Sequence, residues 1–299
     1  SDAVATKAVM IGNGFCEYPY LAKSIFNISG MSYGAISKPA VLALSNGARM
    51  AECWMNTGEG GLSPYHIEGG ADLVFQIGTA KYGVRDEIGR LSDEKLKEVA
   101  EYDQVKMFEL KVSQGAKPGK GGILPGMKVT EEVAKIRGIP IGKDSISPNR
   151  HPEVSNSKEL LDYIRRIKEV TKKPVGFKTV IGHTKWLDNI LNEVNRQGVD
   201  SAPDFITVDG GEGGTGAAPM ALIDNVGLPI KEALPMVVDK LMQHGLEDRI
   251  KVIASGKLIT PADVAWAICA GADFVTSARG FMFSIGCIQS LKCNKNTCP

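Results

Sequence analysis

Three cysteines, Cys287, Cys293 and Cys298, stand as C-x5-C-x4-C in the run 287–299 and are followed at once by Pro299. Thiolates at such short intervals, with a proline after the last, are a common way of holding an iron–sulfur cluster, because one loop can wrap several corners of a small cube. Three ligands favour a [3Fe–4S] cluster, which lacks one corner iron, unless a fourth ligand comes from elsewhere in the fold. A zinc site would ask for a fourth Cys or His nearby and usually C-x2-4-C spacing; plain structural cysteines are the remaining reading. Cys16, Cys53 and Cys269 are scattered among apolar or small residues, which suits buried hydrophobes rather than ligands. So few cysteines in 299 residues make no disulfide framework, and a reducing, cytoplasmic compartment is expected.

Glycine clusters are the second chemical signal. Gly211-Glu212-Gly213-Gly214-Thr215-Gly216 matches G-x-G-x-x-G, yet it lies far along the chain and no acidic residue ends a following strand, so the dinucleotide reading lacks its context. A backbone that must come close to a flat ring or a phosphate explains the glycines better, since a Cβ would clash there. Ser255-Gly256-Lys257 and Ala278-Arg279-Gly280 follow the last two strand-like runs, where barrels commonly bind phosphate. Arg279 supplies a charge suited to a phosphate monoester, with a surface salt bridge as its alternative role. His151 reads as a solvated loop histidine, or else as a contact to an anionic substrate. His66, His183 and His244 show no metal-ligand spacing, and neither a G-x-S-x-G elbow nor a G-x4-G-K-[ST] loop is present.

Elements must position these residues. Apolar, β-branched runs recur at 26–31, 53–55, 73–77, 108–112, 175–180, 205–208, 250–254 and 274–276, giving eight expected strands. Amphipathic segments lie between several of them; 157–171 carries Leu160, Leu161, Ile164 and Ile167 on one face with Asn156 or Ser155 as cap. Thr260-Pro261-Ala262-Asp263 reads as a capping box with proline in the first turn, and Gly271 closes that helix. Alternation of this kind predicts parallel strands with crossover helices, and a (β/α)8 barrel of about 250 residues would use nearly the whole chain. The span 82–149 is the least barrel-like; it is expected to hold a helix over 93–102, one strand and then a glycine-, lysine- and proline-rich stretch at 115–126, and to decorate the C-terminal face as a long insertion. The net charge of +1 gives no electrostatic argument for nucleic acid or an anionic membrane. No apolar stretch approaches the roughly 20 residues that would span a bilayer.

The motifs Met31-Ser32-Tyr33-Gly34-Ala35, Asn56-Thr57-Gly58-Glu59-Gly60-Gly61, Gln114-Gly115-Ala116-Lys117-Pro118-Gly119, Leu124-Pro125-Gly126 and Gly213-Gly214-Thr215-Gly216-Ala217, with the cysteine tail, run in one order over nearly the whole chain. Together they resemble the FMN-binding synthase domain of the glutamate synthase family. The resemblance implies one FMN-binding TIM barrel domain over 1–299, with a [3Fe–4S] cluster in the loop 287–299, reducing 2-iminoglutarate from 2-oxoglutarate and ammonia to L-glutamate or acting on a similar amino or imino acid. Carried over by motif, Ser32, Asn56 and Thr57 would line the flavin, with Lys111 and Lys178 near its ring and Gly213, Gly214 and Thr215 at a close backbone approach. Gly256, Ala278 and Arg279 would hold the phosphate. A lysine at a strand end suits reduced flavin, which carries negative charge near N1; a helix-facing surface position is the alternative for Lys178. Glu59, Gln114 and Lys117, with Lys111, match the positions that hold and process the 2-oxo acid.

Departures from the family's pattern bear on the substrate. Gly211-Glu212 stands where His-Asp is usual, Ala254-Ser255-Gly256 replaces Asp-Gly-Gly, and Ser147-Pro148-Asn149-Arg150-His151-Pro152 replaces Ser-Pro-Pro-Pro-His-His. The N-terminal cysteine nucleophile of the amidotransferase domain is absent from this sequence. A stand-alone synthase barrel, an electron donor such as ferredoxin and a separate amidotransferase subunit are therefore the expected arrangement. Two other functions stay open: a flavin-dependent glutamate N-alkyl transferase subunit of the methylamine type, and an electron-transfer subunit without its own substrate.

Overall fold

The computed structural model describes residues 8–214, 218–290 and 292. A short antiparallel pair, β1 (Val9–Ile11) and β2 (Tyr20–Ala22), comes first. Then β3 (Phe26–Ile28), α1 (Lys38–Met50), β4 (Met55–Asn56), α2 (Pro64–Gly69), β5 (Leu73–Ile77), α3 (Asp93–Glu101) and β6 (Val105–Lys111) alternate. An excursion follows: a second antiparallel pair, β7 (Ile123–Leu124) and β8 (Ser145–Ile146), encloses α4 (Glu131–Arg137). Alternation resumes with α5 (Ser157–Thr171), β9 (Val175–Thr179), α6 (Lys185–Gln197), β10 (Phe205–Asp209), α7 (Ile230–Gln243), β11 (Lys251–Ser255), α8 (Pro261–Cys269), β12 (Phe274–Ser277) and α9 (Arg279–Ser284).

Strands β3, β4, β5, β6, β9, β10, β11 and β12 pair in parallel and in that order, and β12 returns to β3, so the sheet closes into a (β/α)8 barrel. Each of the eight expected runs supplies one barrel strand. At 53–55 the strand is displaced towards the C-terminus: Cys53 and Trp54 are buried before it and pairing starts at Met55. The expected insertion 82–149 resolves into two parts. Its first part supplies α3 and β6 of the barrel proper, and only the segment between β6 and α5 is extra, because the apolar 108–112 run had to pair to close the sheet.

Local rules account for several helix ends. Asn156 Oδ1 accepts the Glu159 amide at 2.9 Å and starts α5. Thr260 and Asp263 exchange hydrogen bonds as a capping box at α8, each such cap being worth about 1 kcal/mol. Gly271, at φ +100°, takes the left-handed turn after that helix.

The N-terminal end of the barrel is plugged by apolar side chains. Ile11, Tyr20 and Ala22 of the β1–β2 pair pack with Trp54, Phe205 and Phe274, all buried, and the Trp54 and Phe274 rings meet edge to face with centroids 5.0 Å apart. Polar side chains are thereby left to the C-terminal ends of the strands, where barrel sites are built. No helix among the described residues is long and apolar enough to cross a membrane.

Packing inside the barrel is tight at Gly176 in β9. A Cβ there would lie 2.3 Å from the Phe205 carbonyl oxygen and 2.5 Å from its ring. Gly176→Ala should therefore cost about 1–3 kcal/mol and lower the melting temperature by several degrees; calorimetric unfolding checks this, and an unchanged midpoint would show that the barrel yields at this layer.

Candidate functional site

The strand ends and the excursion surround a cleft that, with the solvent at its mouth, encloses about 1450 Å³. On one wall, Lys111 at the end of β6 donates to Glu59 Oε1 at 2.9 Å and to Gln114 Oε1 at 3.0 Å. Lys117, on the turn after β6, and Lys178, in β9, are 8% and 6% exposed. Both line the cleft, and neither ammonium forms a hydrogen bond or ion pair among the described residues. Glu59 is the one acid among the described residues lining the cleft. Three lysines against one carboxylate leave the wall two positive charges in excess.

This imbalance shows in the ionisation of the groups. Burial pushes the Glu59 carboxyl up, but the bonded Lys111 and the nearby Lys117 and Lys178 outweigh it and bring the pKa down to about 2. Lys117 is pushed down to about 8, first by burial and then by the Lys111 charge, against the pull of Glu59.

The residues behind the wall hold it in place. His151 is 3% exposed, not solvated as expected, because the excursion folds it against β6. Its Nε2 lies 2.8 Å from the Lys111 carbonyl oxygen; a carbonyl can only accept, so Nε2 carries the proton. Burial holds the His151 pKa down to about 4, leaving the ring neutral. Asn56 and Thr57, expected against a flavin, are buried at the end of β4 and do not themselves line the cleft. Asn56 Oδ1 accepts the Gly58 amide at 2.9 Å, and Thr57 Oγ1 donates to the Gly58 carbonyl at 2.9 Å. These two bonds shape the turn that presents Glu59, and Gly58 is required there: at φ +66° a Cβ would sit 2.5 Å from the Ser32 amide nitrogen. Inside the barrel the Glu109 carboxylate accepts from Asn56 at 2.9 Å, Gln76 at 2.6 Å and Thr207 at 2.6 Å.

Ser32, Gly214, Ala278 and Arg279 border the cleft with the four residues of the charged wall. Gly213 stands behind it, its carbonyl accepting the Ala116 amide at 2.6 Å. Gly256, at φ +134°, borders a neighbouring depression beside Glu212 and Lys257; it follows Ser255, which pairs with Thr276, so it stands next to the end of β12 that leads into Ala278 and Arg279. Cys287 follows α9 and lines the edge of the cleft, half-buried. Thr215, Cys293 and Cys298 lie outside the described residues, among which no cluster of His, Cys, Asp or Glu is arranged to hold a metal. Cys53 is buried as expected, whereas Cys16 is half-buried and Cys269 is exposed, since it ends α8 on the solvent side.

Sequence reasoning missed Arg137. It is 5% exposed and lines the cleft, with its guanidinium 5.0 Å from the Tyr82 ring centroid and Nη2 donating to the Tyr33 carbonyl at 3.2 Å. Its carrier α4 starts at Thr130, whose Oγ1 accepts the Val133 amide, and ends at Gly138 in the left-handed region. Val133 and Ala134 pack with Leu124 and Val129, and Glu132 accepts the hydroxyls of Tyr33 and Tyr65. An arginine at a helix C-terminus gives no signal of this role, because solvated arginines are common there. Glu109 did carry a signal: a lone acid between Phe108 and Leu110 in a strand that must be buried on both faces.

The conserved region in glutamate synthase matches residues 4–299 of the chain. A glutamate synthase large subunit-like protein, YerD, of Bacillus subtilis (strain 168) is 51% identical over 291 residues, 97% of this chain and 55% of that protein. An archaeal glutamate synthase [NADPH] of Methanocaldococcus jannaschii is 36% identical over 274 residues, 91% of this chain and 50% of that protein. The chain thus spans about half the length of these curated relatives. Among solved structures, a lactate oxidase of Pediococcus acidilactici superposes with a TM-score of 0.58 at 15% identity, covering 99% of this chain and 72% of that one. A mandelate oxidase carrying a monooxide FMN adduct gives 0.54 at 17%, covering 97% and 74%. At such identities the likeness is one of fold.

The charges of the cleft make an anion-binding test direct. Lys117 is an ammonium below about pH 8 and loses that charge above it. Affinity for a small dicarboxylate such as glutarate should be level below that pH and fall by about tenfold per unit above it. Lys117→Arg, charged throughout, should remove the alkaline limb, and titration calorimetry from acid to alkaline pH reads both. A limb that survives in Lys117→Met would assign the titration to another group.

Proposed function

We propose that this chain, which belongs to the glutamate synthase family, binds FMN in the cleft and reduces the imine of 2-oxoglutarate and ammonia to L-glutamate. One observation carries the reading: Lys111, Lys117, Lys178 and Arg137 converge on a cleft whose one acid among the described residues is held ionised, which is what an anionic 2-oxo dicarboxylate and an ammonium-derived nitrogen together require.

The residues fit FMN. The Lys178 ammonium, unpartnered among the described residues, is suited to the electron-rich edge of a reduced ring system. Arg279, with Ala278 beside it, borders the same cleft and suits a phosphate monoester. Ser32 and Gly214 flank the space between, and residues 1–299 work as one domain in this reading. When bound, the flavin supplies a hydride equivalent to the imine carbon.

The protein's own groups do the rest. Lys117 and Arg137 bind the two carboxylates and fix the keto carbon between them. Glu59, ionised at neutral pH, attracts and orients the nitrogen as ammonia adds to the keto carbon. Lys111, hydrogen-bonded to both Glu59 and Gln114, donates to the oxygen that leaves as water. Packed in place beside the cleft, α4 limits water at the reacting carbon.

The [3Fe–4S] cluster on Cys287, Cys293 and Cys298 belongs to the same proposal. Its support is the C-x5-C-x4-C spacing and the place of Cys287 at the edge of the cleft, beside the proposed flavin site. Single electrons would then come from a donor such as ferredoxin and ammonia from a separate amidotransferase, at a cytoplasmic site of action. An electron-transfer subunit without a substrate would have no use for the charged wall. A glutamate N-alkyl transferase subunit would use the same wall and is separated by its product.

Four measurements test this. Denatured protein should release FMN on chromatography, and reduced protein given 2-oxoglutarate with ammonium, not methylamine, should yield glutamate by mass spectrometry. FAD in the extract, or N-methylglutamate as product, would reject the corresponding part. Lys178→Ala should lower the flavin midpoint potential by roughly 30 mV or more, the two-electron equivalent of tenfold, with the barrel still folded; an unchanged potential would place that lysine away from the ring. Anaerobically prepared protein should contain iron and sulfide with an electron paramagnetic resonance signal, and stoichiometric zinc would sink the cluster.

A further inference from the structure

The turn that carries Gln114 and Lys117 into the cleft has no helix or strand of its own between β6 and β7. What stiffens it is the end of another strand. Asp209, the last residue of β10, is 4% exposed. Its Oδ2 accepts the Gly115 amide at 2.8 Å and its Oδ1 accepts the Ser255 hydroxyl at 2.9 Å. One residue on, the Ala116 amide donates to the Gly213 carbonyl at 2.6 Å. The two loops touch backbone to backbone: a Cβ on Gly115 would lie 1.7 Å from the Gly210 carbonyl oxygen, and one on Gly214 would lie 2.0 Å from the Ala116 Cβ.

Asp209 does not itself line the cleft, so it has no contact to offer a ligand there. Its whole hydrogen-bonding capacity on this side goes to a backbone amide of the turn. We propose that Asp209 is a positioning residue: its carboxylate clamps the 114–117 turn to the loop after β10 and so aims Gln114 and Lys117 at the dicarboxylate, an inference that rests on the function proposed above. Removing the carboxylate would leave the buried Gly115 amide unpaired, so the turn would move to find water. The Lys111 backbone is held by β6 and His151, and its ammonium keeps the Glu59 bond even where the Gln114 bond moves with the turn. Loss of the clamp should therefore disturb substrate binding more than the chemistry on bound substrate.

Two readouts separate the parts. In Asp209→Ala, hydrogen exchange at Gly115 and Ala116 of the flavin-loaded, substrate-free protein should speed up by at least about tenfold. In the same variant KM for 2-oxoglutarate should rise about tenfold while kcat changes less than about threefold. Asp209→Asn still offers a carbonyl oxygen to Gly115 and an amide to Ser255, so it should return both readouts to within about threefold of wild type. If Asp209→Ala does not fold, Ser255→Ala frees Oδ1 while leaving Oδ2 on Gly115 and should show the same pattern at about two- to threefold. Unchanged exchange overturns the clamp; fast exchange with unchanged KM overturns the positioning role; an Asn variant as impaired as Ala shifts the effect to charge and also overturns it. A wild-type protein that turns over no 2-oxo acid rejects the proposed function instead, and the exchange measurement, which needs no substrate, then decides the clamp alone.

Discussion

The ion pair between Glu59 and Lys111 is the constraint around which the cleft is organised. A carboxylate taken out of water is costly unless it is paired and hydrogen-bonded, and here the pairing is more than complete, because Lys117 and Lys178 add charge to the same wall. Two ammonium groups held largely out of water without a described partner are unfavourable in the free protein. An anionic ligand relieves that cost on binding, which is how a preorganised site stores affinity at the expense of stability.

The barrel makes this arrangement tolerable by dividing its polarity. Its N-terminal end is filled with Trp54, Phe205 and Phe274 under the β1–β2 pair, so apolar burial is concentrated where no chemistry occurs. Above that layer Glu109 accepts three hydrogen bonds, which keeps a lone interior carboxylate satisfied and at the same time orients Asn56 and Gln76. Backbone turns resting on those side chains then present Glu59. The excursion adds a further cation, Arg137, on a helix of only seven residues. So short a helix is not stable alone; its apolar cluster and the Tyr33 and Tyr65 hydroxyls on Glu132 hold it over the cleft.

Family and fold come from different comparisons, and they carry different weight. Relatives at 36–51% identity cover nearly all of this chain and establish the family. The oxidases at 15–17% share only the architecture, and one barrel supports many chemistries through its loops. What distinguishes this cleft is its own set of charges.

The sequence by itself determined the architecture. Eight apolar, β-branched runs became the eight barrel strands, and Asn156, Thr260 and Gly271 ended or began helices where expected, because periodicity, capping and turn chemistry act over a few residues. It also marked Glu59, Lys111, Gln114 and Lys117, which the fold brings to one cleft. Tertiary structure alone decided which way the other side chains face. Asn56 and Thr57 are buried at the end of β4, His151 is buried behind Lys111, Arg137 enters from the excursion and Asp209 clamps a turn 94 residues away in sequence. Lys178 could have been a surface residue until closure of the barrel put β9 between β6 and β10 with that side chain toward the cleft. These are contacts between strand ends and loops far apart in the chain, and no local pattern records them, since each depends on closing the sheet before the partners can meet.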